Sequence, residues 1–65
     1  MSEQILKLPE VTKVTGLARS TIYKLISEDL FPKQIKLTKF SSGWIKSEVD
    51  HWIEDRIAFS RNEEA

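Results

Sequence analysis

No cysteine occurs among the 65 residues, which excludes a disulfide framework and a thiolate zinc site and suits a reducing compartment. Long apolar runs are missing as well, and the start, Met1-Ser2-Glu3-Gln4-Ile5-Leu6-Lys7, shows no extended apolar stretch behind a basic residue. The chain therefore reads as neither exported nor membrane-spanning, with the cytoplasm as the expected location. Glycine and proline are limited to two each, too few for a phosphate-cradling loop or a flexible linker. There is one histidine, His51. Glu48-Val49-Asp50-His51 has the Glu-x-x-His spacing of carboxylate di-metal bundles, but those need two copies and two further glutamates. His51 reads as a surface residue, and no metal or other cofactor is expected. No nucleophile stands beside a base in the pattern, and a core this small encloses no substrate pocket, so neither catalysis nor a small-molecule ligand is expected.

Net charge is absent too, with ten basic and ten acidic residues. Taken alone this argues against a phosphate-rich partner. The balance conceals a division. Between Val11 and Ser47 the bases Lys13, Arg19, Lys24, Lys33, Lys36, Lys39 and Lys46 face only Glu28 and Asp29, whereas beyond Ser47 six acids outnumber Arg56 and Arg61. A basic body with an acidic C-terminal segment fits nucleic-acid binding on one face only.

What is present begins at Leu8. A residue before proline is pushed toward extended conformations, and Pro9 suits a first helical position because its missing N–H would be unpaired there. A helix starting at Pro9 gains from Glu10 in its first turn and stops at Gly16, which takes the left-handed conformation without penalty. A second helix, about Ala18 to Ser27, carries Ile22, Leu25 and Ile26 on one stripe and Ser20, Lys24 and Ser27 nearly opposite, with Tyr23 on the flank. Helix, tight glycine turn and helix make a helix-turn-helix motif.

Leu30-Phe31-Pro32 follows as an irregular link expected to fold its two apolar side chains onto the core. Ile35-Lys36-Leu37-Thr38 alternates like a half-buried strand, Lys39 to Gly43 is turn-rich, and Trp44-Ile45 returns as a second strand. Ser47 with Asp50 resembles a capping box for a third helix whose stripe is Val49, Trp52, Ile53 and Ile57. Residues 61–65 lack an apolar anchor and read as a frayed tail after a single domain spanning 1–60. The expected core is Leu8, Val11, Val14, Leu17, Ile22, Leu25, Ile26, Val49, Trp52 and Ile53. Trp44 is expected to pack inside rather than to stack on bases. The architecture is mainly α with a small β-hairpin: a winged helix-turn-helix of three helices and a two-stranded wing.

Leu8-Pro9-Glu10-Val11, Thr15-Gly16-Leu17, Arg19-Ser20-Thr21-Ile22-Tyr23, Phe31-Pro32, Gly43-Trp44 and Glu48-Val49-Asp50-His51-Trp52-Ile53, in this order and spacing, resemble the AlpA-type prophage regulators. These are winged-helix proteins related to excisionases and to the DNA-binding domains of MerR-type activators. The resemblance covers about residues 5 to 57. It implies a regulator of transcription from a prophage or mobile element that binds double-stranded DNA, with the second helix in the major groove and the wing on backbone or minor groove. An excisionase-like architectural protein that bends DNA is the alternative it implies, with a protein-interaction adaptor as a further one.

Carried across residue by residue, the resemblance assigns groove contacts to Arg19, Ser20, Tyr23 and Lys24. Thr21, a short donor nearer the side of the helix, ranks below Ser20. Three positions depart from the family pattern. Ala18 stands where serine usually caps the recognition helix, a loss of about 1 kcal/mol. Glycine is common at the position of Asp29. Phe40 stands where the wing often has arginine, so backbone contact falls to Lys39 and Ser41, or Phe40 itself wedges into the minor groove. One such module buries about 600–1,000 Å², so a homodimer or cooperative tandem binding is expected, with Phe59 a candidate for partner contact.

Overall fold

The computed structural model describes residues 3–64. Its elements are β1 (Ile5–Leu6), α1 (Leu8–Thr15), α2 (Arg19–Ser27), β2 (Ile35–Thr38), β3 (Ser41–Ile45) and α3 (Lys46–Glu64). The strands form one antiparallel sheet in the order β1-β3-β2. The molecule is a winged helix-turn-helix whose wing has three strands, not the two expected.

The extra strand, Ile5–Leu6, pairs with Ile45 and Trp44, and the ladder closes where Lys46 N–H donates to the Gln4 carbonyl at 2.7 Å. Two residues are too few to show the alternation by which strands are read from sequence. The sheet makes room for them through Gly43. It lies inside β3, not in the turn where sequence placed it; a Cβ there would sit 2.5 Å from Ile5 Cγ2 and 3.0 Å from the Leu6 carbonyl oxygen. The connection between β2 and β3 is accordingly short, Lys39-Phe40, and the pairing slips between Lys36 and Thr38, a bulge at Leu37.

Helix α1 starts at Leu8, and Pro9 lies in its first turn. The Glu10 carboxylate accepts the Lys7 N–H at 2.9 Å, half of a capping box. It ends as expected at Gly16, left-handed at φ 74°, whose N–H returns to the Thr12 carbonyl. Helix α2 ends in a Schellman motif, with Asp29 N–H bonded to Ile26 O and Leu30 N–H to Leu25 O. Its left-handed residue is Asp29, at φ 59°.

Helix α3 follows β3 without a loop. Lys46 is already helical while its N–H completes the sheet, so the N-cap position falls to the strand residue Ile45 and Ser47 lies inside the helix. The expected capping box is not formed. Ser47 Oγ donates to the Glu3 carboxylate at 3.0 Å, and Asp50 takes the Lys46 ammonium at 2.7 Å. The helix continues through Arg61 and Asn62 to Glu64.

The core consists of Leu6, Val11, Ile22, Phe31, Trp44 and Val49, with Leu8, Leu17, Leu25, Ile26, Trp52 and Ile53 packed around it. Val14 is not in it: at 49% exposure it faces outward. At about 100° per residue, Leu8 and Thr15 flank Val11 on one side and Val14 lies about 60° away on the other. The first flank faces inward. Ile57 is likewise half exposed. The link after α2 divides its two apolar residues. Phe31 is buried edge-on against Trp52 at 4.9 Å, whereas Leu30 is 52% exposed and contributes its carbonyl, which accepts the Trp52 indole N–H. Trp44 is buried as expected, its N–H donated to the Pro32 carbonyl.

Candidate nucleic-acid interface

Helix α2 has one buried residue, Ile22, flanked by half-buried Leu25 and Ile26. Because three apolar positions occupy one stripe, the rest of the helix is solvent-facing. Arg19, Ser20, Thr21, Tyr23 and Lys24 are all exposed. The rigid attachment of this helix begins in the turn before it. The Thr15 hydroxyl donates to the Val11 carbonyl at 2.7 Å and accepts the Leu17 N–H at 3.2 Å, joining the end of α1 to the approach to α2. Thr15 does more to set the turn than its place beside Gly16 suggests, and its signal was a threonine within reach of its own i−4 carbonyl.

Ala18 is the N-cap of α2, extended at ψ 158°, and makes no side-chain cap bond. Its carbonyl accepts the Ile22 N–H at 3.0 Å, but the first-turn N–H groups of α2 receive no acceptor from a capping side chain. They stand beside Arg19 and Ser20, oriented as N–H groups at any helix start are, toward an incoming anion.

Electrostatics separates the bases into two sets. Among the described residues, Lys33 pairs with Asp29 at 3.4 Å and Lys46 with Asp50 at 2.7 Å. Arg19, Lys24, Lys36 and Lys39 form no ion pair within the described residues. Two of the seven bases of the basic body are thus neutralised locally.

At the wing, Thr38 organises the turn. Its hydroxyl accepts the Phe40 N–H at 3.2 Å and lies 2.9 Å from the Ser41 hydroxyl. Ser41 is therefore half-buried and engaged within the turn, while Lys39 is exposed, its Nζ 5.8 Å from the Phe40 ring centroid. Phe40 is 91% exposed. The candidate residues thus form two groups: Arg19, Ser20, Thr21, Tyr23 and Lys24 on α2, and Lys39 and Ser41 at the wing turn. The joint between them is aromatic, with Tyr23 6.5 Å from Trp44 of β3 at an interplanar angle of 56°.

A different surface lies between the link after α2 and α3. There Pro32, Ile35 and Trp52, with Glu48, His51 and Asp55, line an open groove of about 540 Å³. His51 is exposed on it. No group of three or more histidine, cysteine, aspartate or glutamate residues among those described could hold a metal ion.

Three helices in this order, a glycine-stopped turn between the first two and a sheet presenting a hairpin tip define the class: a winged helix-turn-helix. Residues 4–57 match the family model described as the prophage CP4-57 regulatory protein, AlpA, and the chain belongs to that family. It is 46% identical over 56 residues to an uncharacterized protein, ORF88, of Enterobacteria phage P4, covering 86% of this chain and 64% of that protein. It thus spans less than two thirds of that relative's length. Over 59 residues it is 41% identical to the DNA-binding transcriptional activator AlpA of Escherichia coli K12, covering 82% of this chain and 84% of the activator. No solved structure matches.

Proposed function

We propose that this chain is a sequence-specific, double-stranded DNA-binding regulator of transcription from a prophage or mobile element. It acts in the bacterial cytoplasm and is not an enzyme. Helix α2 lies in the major groove, and the wing meets the backbone or minor groove. The observation that carries the reading is the two-sided character of α2: Ile22 is fully buried, while Arg19, Ser20, Tyr23 and Lys24 stand exposed, with both bases free of ion pairs among the described residues. The family match and the identity to an activator of transcription support it.

Each side chain has a role that follows from its chemistry. Arg19, at the helix start, offers a planar fork suited to the two acceptors on a guanine edge. Ser20 and the first-turn N–H groups of α2 receive a phosphate, with Thr21 as an additional short donor. Tyr23 and Lys24, a turn further, reach base or backbone, and Lys39 steers the wing to phosphate. Affinity from so small a face is limited, and cooperative binding or a dimer completes it.

The test is fluorescence anisotropy against a duplex selected in vitro for binding and against a random duplex of equal length. Arg19→Ala should lose discrimination between the two, equivalent to about 1–3 kcal/mol. Lys39→Ala should weaken both alike. Equal discrimination by Arg19→Ala and wild type would remove α2 from the recognition role.

A further inference from the structure

Phe40 is the most exposed large apolar residue among those described, at 91%, and the next, Phe59, is at 59%. Nothing in the fold requires it there. It occupies the second position of a two-residue hairpin turn, where polar or glycine residues ordinarily sit, and its ring lies outside the core. The tip that carries it is nonetheless well determined. Thr38 Oγ1 accepts the Phe40 N–H and meets Ser41 Oγ, and the bulge at Leu37 adds local twist just before the turn. An apolar side chain held on a stiff, hydrogen-bonded tip beside a lysine has the form of a wedge.

Resting on the DNA-binding reading above, we infer that Phe40 is the wing's contact residue, entering the minor groove next to the one that receives α2 and partly unstacking a base step there. Reach supports this. Phe40 is four residues along the chain from Trp44, the point at which the sheet meets Tyr23 of α2. At about 3.4 Å per residue this places the tip roughly 14 Å from the joint. Neighbouring major and minor grooves are separated by about 17 Å, half a turn of duplex, and the length of the ring spans most of the difference. The chemistry also fits. The minor groove is lined by sugars and base edges that accept apolar contact, and inserted phenylalanines kink duplexes toward the major groove. Lys39, whose ammonium lies over the same ring, is positioned for a phosphate at the groove's edge. The second copy of the chain is the competing occupant for an exposed phenylalanine.

The experiment places 2-aminopurine at successive steps of a selected duplex and records its fluorescence and the binding isotherm for wild type, Phe40→Ala, Phe40→Leu and Phe40→Arg. Wild type should brighten the probe at one step about half a turn from the α2 footprint. Phe40→Ala should abolish the rise and weaken binding about tenfold with its salt dependence unchanged, and Phe40→Leu should keep part of both. Phe40→Arg should bind without the rise and with a salt slope steeper by about one. All four should melt alike, since the ring packs on nothing in the core. If wild type binds the duplex and Phe40→Ala leaves the probe signal and affinity unaltered, the wedge is wrong and the DNA-binding reading stands. A Phe40→Ala change that alters only sedimentation assigns the ring to self-association and overturns the wedge as well. If wild type binds no duplex, both fall.

Discussion

Asp29 ends α2 in a conformation that an L-residue adopts at a cost. With φ at 59° it occupies the left-handed region in which glycine is at ease, and it does so to let Leu30 N–H reach back to Leu25 O. The compensation is an exposed ion pair with Lys33, both side chains more than 70% accessible, and such pairs contribute little. Asp29→Gly should therefore stabilise the domain by about 0.5–1 kcal/mol, read as a higher thermal midpoint. An unchanged or lower midpoint would mean that the ion pair outweighs the strain. At Gly16 the same conformational demand is met by glycine itself, so no comparable gain is open there.

Elements are joined in this fold by short, direct connections, and Gly43 shows what this demands. Strand β1 lies against β3 only because Gly43 presents no side chain, and it is through β1 that residues ahead of α1 reach the sheet and α3, by the bonds Lys46 N–H to Gln4 and Ser47 to Glu3. A Cβ at that point meets a flexible methyl at 2.5 Å but also a backbone oxygen at 3.0 Å. Gly43→Ala should displace β1, costing about 1–3 kcal/mol as overpacking does, and amide exchange of Leu6 and Lys46 should accelerate while that of Ile22 in α2 changes least. Uniform acceleration would show that displacing β1, whose Leu6 is in the core, opens the whole domain at once.

For the molecule as a whole, net charge is nil, and α2 and the wing carry four bases that form no ion pair among the described residues. Of the basic residues between Val11 and Ser47, Lys33 and Lys46 are neutralised by Asp29 and Asp50, and Lys13 lies on α1. The remaining Arg19, Lys24, Lys36 and Lys39 bound the number of phosphates that the proposed face can neutralise. The logarithm of the binding constant should fall with the logarithm of salt concentration with a slope of about −3 to −4. A slope of about −5 would show Lys33 and Lys46 leaving their carboxylates for the duplex, and a slope of zero would leave no phosphate contact at all.

The order of helix, turn, helix, hairpin and helix was legible from spacing alone, because Ile22, Leu25 and Ile26 repeat with a helix period and Gly16 can stop a helix where other residues resist it. The exposed face of α2 followed from the same arithmetic: once three residues turn inward, Arg19, Ser20, Tyr23 and Lys24 have nowhere else to point. Spacing also placed Val11, Val49 and Trp44 correctly. What local pattern could not decide was anything set by a residue distant in the chain. Strand Ile5–Leu6 exists because β3 offers an open edge and Gly43 a gap. Ser47 forgoes its cap because β3 runs straight into α3. Val14 lies outside because the core touches α1 on the Leu8 flank. A periodic pattern records which residues share a side of an element. Which side is covered, and by what, is an energy of contact between elements, and only their packing determines it.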